Sequence, residues 1–262
     1  MKAKDVIQKI RENVGVPWRE TTFRDVFKAG NPEVEVKGIS VTMMTTLDQI
    51  QRSHAAGLNL IITHEPTFWS DAEKMDLSAD PIYKIKNDYC LKNDIVVWRF
   101  HDHIHARKPD IFQFGALVDM GMIAPDYSKF QDEPRIYTIP ETTLGELASR
   151  VRKGLHGNAF RVVGNPAIRV SRIAFGVGSG VPRFSKDVDV VVGGETEEVG
   201  GGDNTGYALD AASLGLGKGL IILGHVISEE SGMRFTADWL KTFLPDMPIR
   251  FIPAGEPFWN LD

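Results

Sequence analysis

The segment GLNLIITHE at residues 57–65 joins a glycine, a short apolar run and a histidine, and GLIILGH at residues 219–225 repeats that order. Each apolar run is too short for a core helix, so we expect a buried strand in both places. The first glycine suits the left-handed end of a preceding helix, which Thr45 or Thr46 can cap at its other end. Both histidines are therefore predicted to follow a strand directly.

Helical and strand patterns alternate along the rest of the chain. Residues Val6, Ile7 and Ile10 recur at helical spacing, and residues 34–41 alternate like a half-buried strand. Further strands are expected at 95–100, 135–139, 160–163, 172–177, 188–192 and 249–252, and further helices at 81–92, 111–120, 207–214, 234–243 and after the capping box Thr143–Glu146. This alternation predicts an α/β fold with a largely parallel sheet covered by helices.

The length of 262 residues allows one large domain or two modest ones. Residues 124–134 are polar and rich in turn-forming residues, which makes them the best candidate for a linker. We therefore expect a first α/β unit at residues 1–123 and a second at 135–262, with a C-terminal segment that can return to the first unit.

The composition excludes several classes of protein. The net charge of −5 argues against broad cationic attraction to nucleic acid, and 42% hydrophobic residues argue against a mainly disordered chain. A single cysteine, Cys90, fits a reducing compartment. No apolar run approaches the roughly 20 residues that a membrane span needs, and the N-terminus lacks the apolar core of a signal peptide. We expect a cytoplasmic globular protein that does not bind membranes.

Five of the seven histidines fall at predicted strand ends. They are His64, His101, His103, His105 and His225. The three central ones follow the strand at 95–100 and would share one face if the chain stays extended there, which predicts a metal site. Each group has a carboxylate nearby, and Glu229 lies four residues after His225, so both face the same point if a helix follows Gly224.

Imidazole and carboxylate donors without thiolates suit zinc, manganese or iron. The number of such donors makes two adjacent ions feasible, and a pair of ions that shares a hydroxide is the usual arrangement for hydrolysis. Known histidine motifs fit poorly. The pair at His101 and His103 can suggest an amidohydrolase, but eight βα units do not fit comfortably here. Metallo-β-lactamase spacing is not met, and Pro66 stands where the helix of an HExxH motif would have to continue.

Five short motifs between about residues 33 and 245 share the order and spacing of motifs in one known family. They are LIITHEPTFW at 60–69, HDHIH at 101–105, GSG at 178–180, GE at 194–195 and GHVISE at 224–229. They resemble the motifs of the Nif-three-like dinuclear metal-centre family, whose members are often described as GTP cyclohydrolase 1 type 2 homologues. The long insertion domain of some members is absent.

The resemblance implies a metal-ligand set of three histidines and two carboxylates. The corresponding residues are His64, Glu65, His105, His225 and Glu229. Glu65 stands where the family has the second histidine of His-His-Pro, and His105 stands where it has the aspartate of Leu-Asp. The exchange keeps the number of donors, although it also allows one ion, a different ion or none. His101 matches a further family histidine, as a ligand or as a neighbour that orients ligands; His103 and Asp102 match nothing.

The resemblance further implies two α/β units that face each other over two divalent ions (zinc, manganese or iron) in a ring-shaped homohexamer. We expect a metal-dependent hydrolase of a nucleotide-like or phosphorylated small molecule, with Glu195 and Glu229 as candidate catalytic carboxylates. The alternative is a ring-forming metal-binding scaffold or regulatory protein without catalysis.

Overall fold

Two five-stranded sheets organise the computed structural model, which describes residues 1–71, 76–196, 198 and 204–261. Each sheet belongs to its own unit. The first unit contains Met1–Ile111 and Met233–Ala254, and the second contains Phe112–Gly232 and Gly255–Asp262. Residues 112–123 thus lie in the second unit, whereas the sequence-based division placed them in the first, and the expected linker at 124–134 lies inside the second unit.

The first unit has a mostly parallel sheet. Numbered along the whole chain, its elements are α1 (Ala3–Asn13), β1 (Phe27–Ala29), β2 (Ile39–Thr42), α2 (Leu47–Ala55), β3 (Leu60–Thr63), α3 (Pro81–Lys92), β4 (Val96–Arg99), α4 (Asp102–Ala106) and β10 (Ile249–Phe251). The strand order is β1-β4-β3-β2-β10. Strand β1 runs antiparallel to β4 at one edge, and the other four strands are parallel.

Local sequence explains where these elements begin and end. Every residue of β2, β3 and β4 is buried, as expected for apolar strands covered on both faces. Thr46 caps α2 through the amide of Gln49, and Gly57 adopts a left-handed φ of 77° just after that helix. The strand expected at 34–41 is shorter than predicted, because the side chain of Asn59 accepts the Lys37 amide and donates to the Glu35 carbonyl.

The second unit has a sheet of the same kind. Its elements are α5 (Ile111–Asp119, whose first residue belongs to the first unit), a short 3₁₀ turn (Tyr127–Lys129), β5 (Ile136–Thr143), α6 (Leu144–Leu155), β6 (Arg161–Val163), β7 (Arg169–Gly176), β8 (Val190–Gly193), α7 (Asn204–Ser213), β9 (Gly219–Ile222) and α8 (His225–Lys241, whose residues from Met233 onward belong to the first unit). The order is β5-β7-β8-β9-β6, in which β7, β8 and β9 are parallel and both edge strands are antiparallel.

The predicted α/β class is confirmed, with eight α-helices among the described residues. The capping box at Thr143 and Glu146 forms with two reciprocal hydrogen bonds of 3.1 and 3.2 Å. The last helix begins at His225 rather than at 234 and continues through Gly232, because no proline interrupts the stretch. Among the described helices, none combines the length and apolar character that crossing a membrane requires.

A buried lysine links two loops at the carboxyl edge of the first sheet. Lys86 on α3 is only 3% exposed, and its ammonium donates to the carbonyl oxygens of Thr45 and Thr67. These carbonyls lie in the loops that follow β2 and β3. Burial lowers the pKa of Lys86 from 10.5 to about 8. The nearby thiol of Cys90 has its pKa raised by burial to about 11.

We expect Lys86 to make stability rise with pH just above neutrality. The unfolded lysine keeps its proton up to a pKa near 10.5, whereas the folded one loses it near 8, so the unfolded chain binds more protons in between. Between about pH 8 and pH 9 this linkage contributes about 1 kcal/mol to the free energy of unfolding. Urea unfolding of wild type and Lys86→Met measures the difference, in which the opposite contribution of Cys90 cancels.

The control is Lys84→Met, which changes an exposed lysine on the same helix and should keep the wild-type pH dependence. Equal pH dependence in wild type and Lys86→Met would contradict the assignment.

Candidate metal centre

Parallel pairing of β3 with β4 brings the first group of candidate ligands to one edge of the first sheet. Thr63 lies opposite Arg99 in this register, so His64 and His101 follow the two strands at the same edge. His64 is fully buried, and His101 occupies the N-cap position of the short helix α4. One turn later on α4, His105 returns to the same place.

These three imidazoles form a compact group. Their ring centroids are 4.5 Å apart for His64 and His101, 4.8 Å for His64 and His105, and 4.9 Å for His101 and His105. One ring nitrogen from each lies within 4.8 Å of the other two. The tertiary structure therefore assembles three potential metal ligands from two separate strand ends.

Each of the three rings has an acceptor at its Nδ1 atom. For His64 this is the carbonyl oxygen of Phe100 at 3.0 Å, for His101 the carboxylate of Asp102 at 3.1 Å, and for His105 the carboxylate of Asp110 at 3.4 Å. A carbonyl or carboxylate oxygen only accepts, so the ring proton belongs on Nδ1 and the lone pair on Nε2. Partners of this kind fix the tautomer and orientation of metal-binding histidines.

The Nε2 atoms of His64 and His105 face each other at 3.1 Å. This spacing has two explanations. Either the proton of His105 moves to Nε2, which breaks the hydrogen bond to Asp110, or a cation binds the lone pairs of both Nε2 atoms. Two nitrogens bound to one ion at about 2.0–2.1 Å lie roughly 3.0–3.4 Å apart, so the spacing suits a shared metal. The donor set therefore fits a divalent ion of the zinc, manganese or iron class.

The protonation states agree with this role. Burial lowers the pKa of His64 well below its usual value, and burial followed by the charge of His105 lowers the pKa of His101 to about 4. Both rings are therefore neutral at physiological pH, which is the form that binds metals.

The expectation that His101, His103 and His105 share one extended face is wrong. These residues begin helix α4, so His103 points away from the other two. Its Nδ1 donates to Asp25, its Nε2 accepts the backbone amide of Arg19 at 2.8 Å, and its ring stacks on Trp18 at 3.7 Å. Because both nitrogens are used, His103 serves the structure of the site rather than a metal.

Asp25 is the residue that holds helix α4 in place. Its carboxylate accepts the backbone amides of His101, Asp102 and His103 as well as the His103 ring. These amides would otherwise be unsatisfied at the start of the helix. Nothing in the sequence links Asp25 to a segment more than seventy residues later, so sequence reasoning missed it.

A buried arginine organises the other side of this group. Arg99 is 1% exposed and donates to the backbone carbonyl of His64 at 2.9 Å and to Oε2 of Glu65 at 3.2 Å. The second Glu65 oxygen, Oε1, lies 4.0 Å from Nε2 of His64. Glu65 is therefore adjacent to the histidines but is shared with a cation of the protein itself. The sequence signal that could have pointed to Arg99 is a charged residue at the end of an apolar strand.

Arg99 belongs to a larger network of charged side chains. Asp71 accepts from Arg99 at 2.8 Å and pairs with Arg24 through both carboxylate oxygens, and Arg24 also reaches Asp102 at 3.1 Å. The Arg24 side chain lowers the pKa of the Asp71 carboxyl well below its usual range. Asp102 thus connects this network to His101, which gives it a role that the sequence did not suggest.

The second unit places its own candidate residues at the carboxyl ends of parallel strands. His225 begins α8 just after β9, and its ring lies between two carboxylates. Nδ1 is 2.9 Å from Glu195, in the loop after β8, and Nε2 is 3.1 Å from Glu229, one turn further along α8. A helix does follow Gly224, which is the condition for His225 and Glu229 to face the same point, and it accounts for the second contact.

Gly178 allows the loop after β7 to approach this group. Its φ is 54°, and a Cβ atom there would lie 2.5 Å from Oε1 of Glu229 and 3.1 Å from Nε2 of His225. Its amide donates to Ser228 at 2.9 Å, and its carbonyl accepts the Glu195 amide at 2.9 Å. The glycine-rich turn at 178–180 thus packs against His225, Glu229 and Glu195.

Comparisons with known proteins agree with this architecture. Residues 1–255 match the model of the family described as Duf34/NIF3 (NGG1p interacting factor 3). The fold is similar to that of the Staphylococcus aureus hypothetical protein SA1388 (18% identity, 100% of this chain and 99% of that one, TM-score 0.70). It is also similar to a Bacillus cereus protein related to NIF3 (14%, 100% and 99%, 0.71) and to protein ybgI of unknown function (19%, 98% and 100%, 0.72). None of the curated proteins matches the chain.

We expect Asp25→Asn to destabilise the protein by at least about 2 kcal/mol. The substitution removes a charged acceptor and places an amide donor against donors, and hydrogen bonds to charged groups contribute about 1.5–3 kcal/mol each. Urea unfolding measures the change. Asp126→Asn, at an exposed turn, is the control and should stay within about 1 kcal/mol of wild type. A wild-type midpoint for Asp25→Asn would contradict the role of Asp25.

Proposed function

Because the chain belongs to the Duf34/NIF3 family, and because its first unit gathers three imidazoles, we propose a metal-dependent hydrolase with a dinuclear centre. Its substrate is a nucleotide-like or phosphorylated small molecule. The observation that carries the proposal is the set of Nδ1 partners on His64, His101 and His105, which leaves Nε2 of each clustered ring as the nitrogen with the lone pair.

The first unit supplies the stronger donor set. His64, His101 and His105 would bind one divalent ion through nitrogen, and Oε1 of Glu65 is close enough to His64 to take part. The other oxygen of Glu65 stays on Arg99, which holds the carboxylate in one orientation. Three neutral ligands leave most of the charge of the ion uncompensated, which favours a bound anion.

His225 and Glu229 of the second unit would supply ligands for a second ion. Their contact at 3.1 Å is the spacing of two ligand atoms that turn toward a common cation. Glu195 accepts from the other ring nitrogen of His225 and thereby fixes its orientation. We propose zinc, manganese or iron for both sites, since the ligands are imidazoles and carboxylates without thiolate.

The chemistry assigned to these residues is hydrolysis. Bound divalent ions supply Lewis acidity, which lowers the pKa of water and polarises a phosphate or carbonyl oxygen. Glu195 is 56% exposed and lies beside His225, so it can exchange a proton with solvent and act as a general base or acid. Glu229 is nearly buried, which suits a ligand that flanks an ion.

The proposal includes a homohexameric ring and a cytoplasmic location. The hexamer is carried over from the family resemblance. The location is supported by the single cysteine, Cys90, which is buried and has no disulfide partner.

Metal content tests the ligand assignment. After treatment with a chelator, protein reloaded with zinc, manganese or ferrous iron is washed and its metal measured by mass spectrometry. We expect His64→Ala to lose at least one ion per chain, and His225→Ala to lose half or all of the metal. The control is His156→Asn, which changes an exposed histidine in the second unit and should retain the wild-type content.

Unchanged metal content in His64→Ala would contradict the three-histidine site. Unchanged content in His225→Ala would remove that residue from the ligands and leave a centre in the first unit alone.

Turnover distinguishes the hydrolase from the alternative, a ring-forming metal-binding scaffold or regulatory protein. Each metal form is assayed against nucleotides, phosphoesters and cyclic amides. We expect turnover by at least one form, and a decrease of at least about tenfold in kcat for Glu195→Gln with metal content unchanged. If every form binds metal tightly and none turns over any substrate, the scaffold is supported and the hydrolase is wrong.

A further inference from the structure

A cavity of about 540 Å³ lies in the second unit, beside the last two turns of α6. Its walls include Arg150, Lys153 and His156 from the end of that helix and Asp119 from the end of α5. An adjoining cavity of about 480 Å³ shares Lys153 and His156 and adds Arg152. Among the residues named as candidate metal ligands, none lines either cavity, so neither is explained by the proposed hydrolysis.

One edge of the Arg150 guanidinium makes no hydrogen bond to the part of the chain that the structure describes. Its Nε and Nη2 atoms are buried and have no hydrogen-bond partner among the residues that the structure describes. Leaving buried donors unsatisfied costs about 1–3 kcal/mol, and more for a charged group. Buried arginines are retained when an acceptor completes them, so the missing acceptor is the feature that requires an explanation.

Helix capping does not explain these cations. The terminal carbonyl of Arg152 already accepts the amides of His156 and Gly157, and the Arg152 side chain donates to the Gly157 carbonyl at 3.3 Å. Backbone amides therefore satisfy the Arg152 carbonyl at the end of α6 without Arg150 or Lys153.

We propose that this cavity binds the phosphate group of a phosphorylated small molecule. The Nε and Nη2 edge of arginine is the fork that pairs with two oxygens of a planar or tetrahedral anion. Arg150 lines the cavity, so reorienting its side chain would bring this edge to a bound anion, and Lys153 adds a second positive charge.

The cavity is larger than one phosphate requires. A water molecule occupies about 30 Å³ of liquid, so some 540 Å³ has room for a small organic group beside the anion. Phosphate joined to a small organic group is therefore the ligand chemistry that fits this space.

Calorimetry of the metal-loaded full chain tests the proposal with two probes, inorganic phosphate and glycerol phosphate, at constant ionic strength in chloride. We expect wild type to show a binding step that is retained in His64→Ala, that is tighter for glycerol phosphate, and that Arg150→Gln weakens at least tenfold. Lys153→Gln changes an exposed side chain and should weaken binding in the same direction. The control is Arg169→Gln, which alters an exposed arginine of the same unit and should bind like wild type.

Thermal unfolding in chloride adds a readout that does not depend on ligand. We expect Arg150→Gln to melt at or above the wild-type temperature, because the variant no longer buries an unpaired charged edge. A clear decrease would mean that the guanidinium supports the fold, and it would overturn the proposal.

Three further outcomes would overturn it. The first is that neither probe binds wild type, and the second is that both variants bind as wild type does. The third is that binding is lost in His64→Ala and kept in Arg150→Gln, which would place the anion at the proposed metals instead. A change of oligomeric state in Arg150→Gln without any effect of phosphate would show that a second copy of the chain covers the cavity, and this too would reject the ligand.

Discussion

Parallel pairing of short buried strands is the constraint on which the arrangement of both units depends. In a parallel sheet all strands end at one edge, so the residues that follow them meet even when they are far apart in sequence. In the first unit this brings His64 beside His101, and in the second it brings the loops after β7 and β8 to the start of α8. Every candidate metal ligand lies at such an edge.

The protein partners of the histidines at the first sheet edge decide which ring nitrogen carries the proton. A buried imidazole is costly when charged, and its neutral form must place a proton on one nitrogen. Backbone and carboxylate acceptors take that proton on the Nδ1 side of each ring, and the Nε2 atoms of His64 and His105 face each other. A lone histidine in a core satisfies both of its nitrogens, as His103 does.

The charged residues around this group show why counting donors in a sequence is insufficient. Glu65 stands at a ligand position, yet the guanidinium of Arg99 engages one of its oxygens. Asp25 controls the backbone of α4 although it lies in a loop remote in sequence. These relations depend on which side chains are buried next to each other, and one sequence without relatives contains no signal for such pairs.

The sequence by itself determined the α/β class, the order of most strands and helices, and the placement of histidines after strands. These features follow from hydrophobic periodicity, capping residues and glycine, which act over a few neighbouring residues. Only the tertiary structure decided that His103 leaves the group while His101 and His105 stay, that Arg99 shares Glu65, and that residues 112–123 join the second unit. Burial and long-range hydrogen bonding decide such choices, and their partners come from distant parts of the chain.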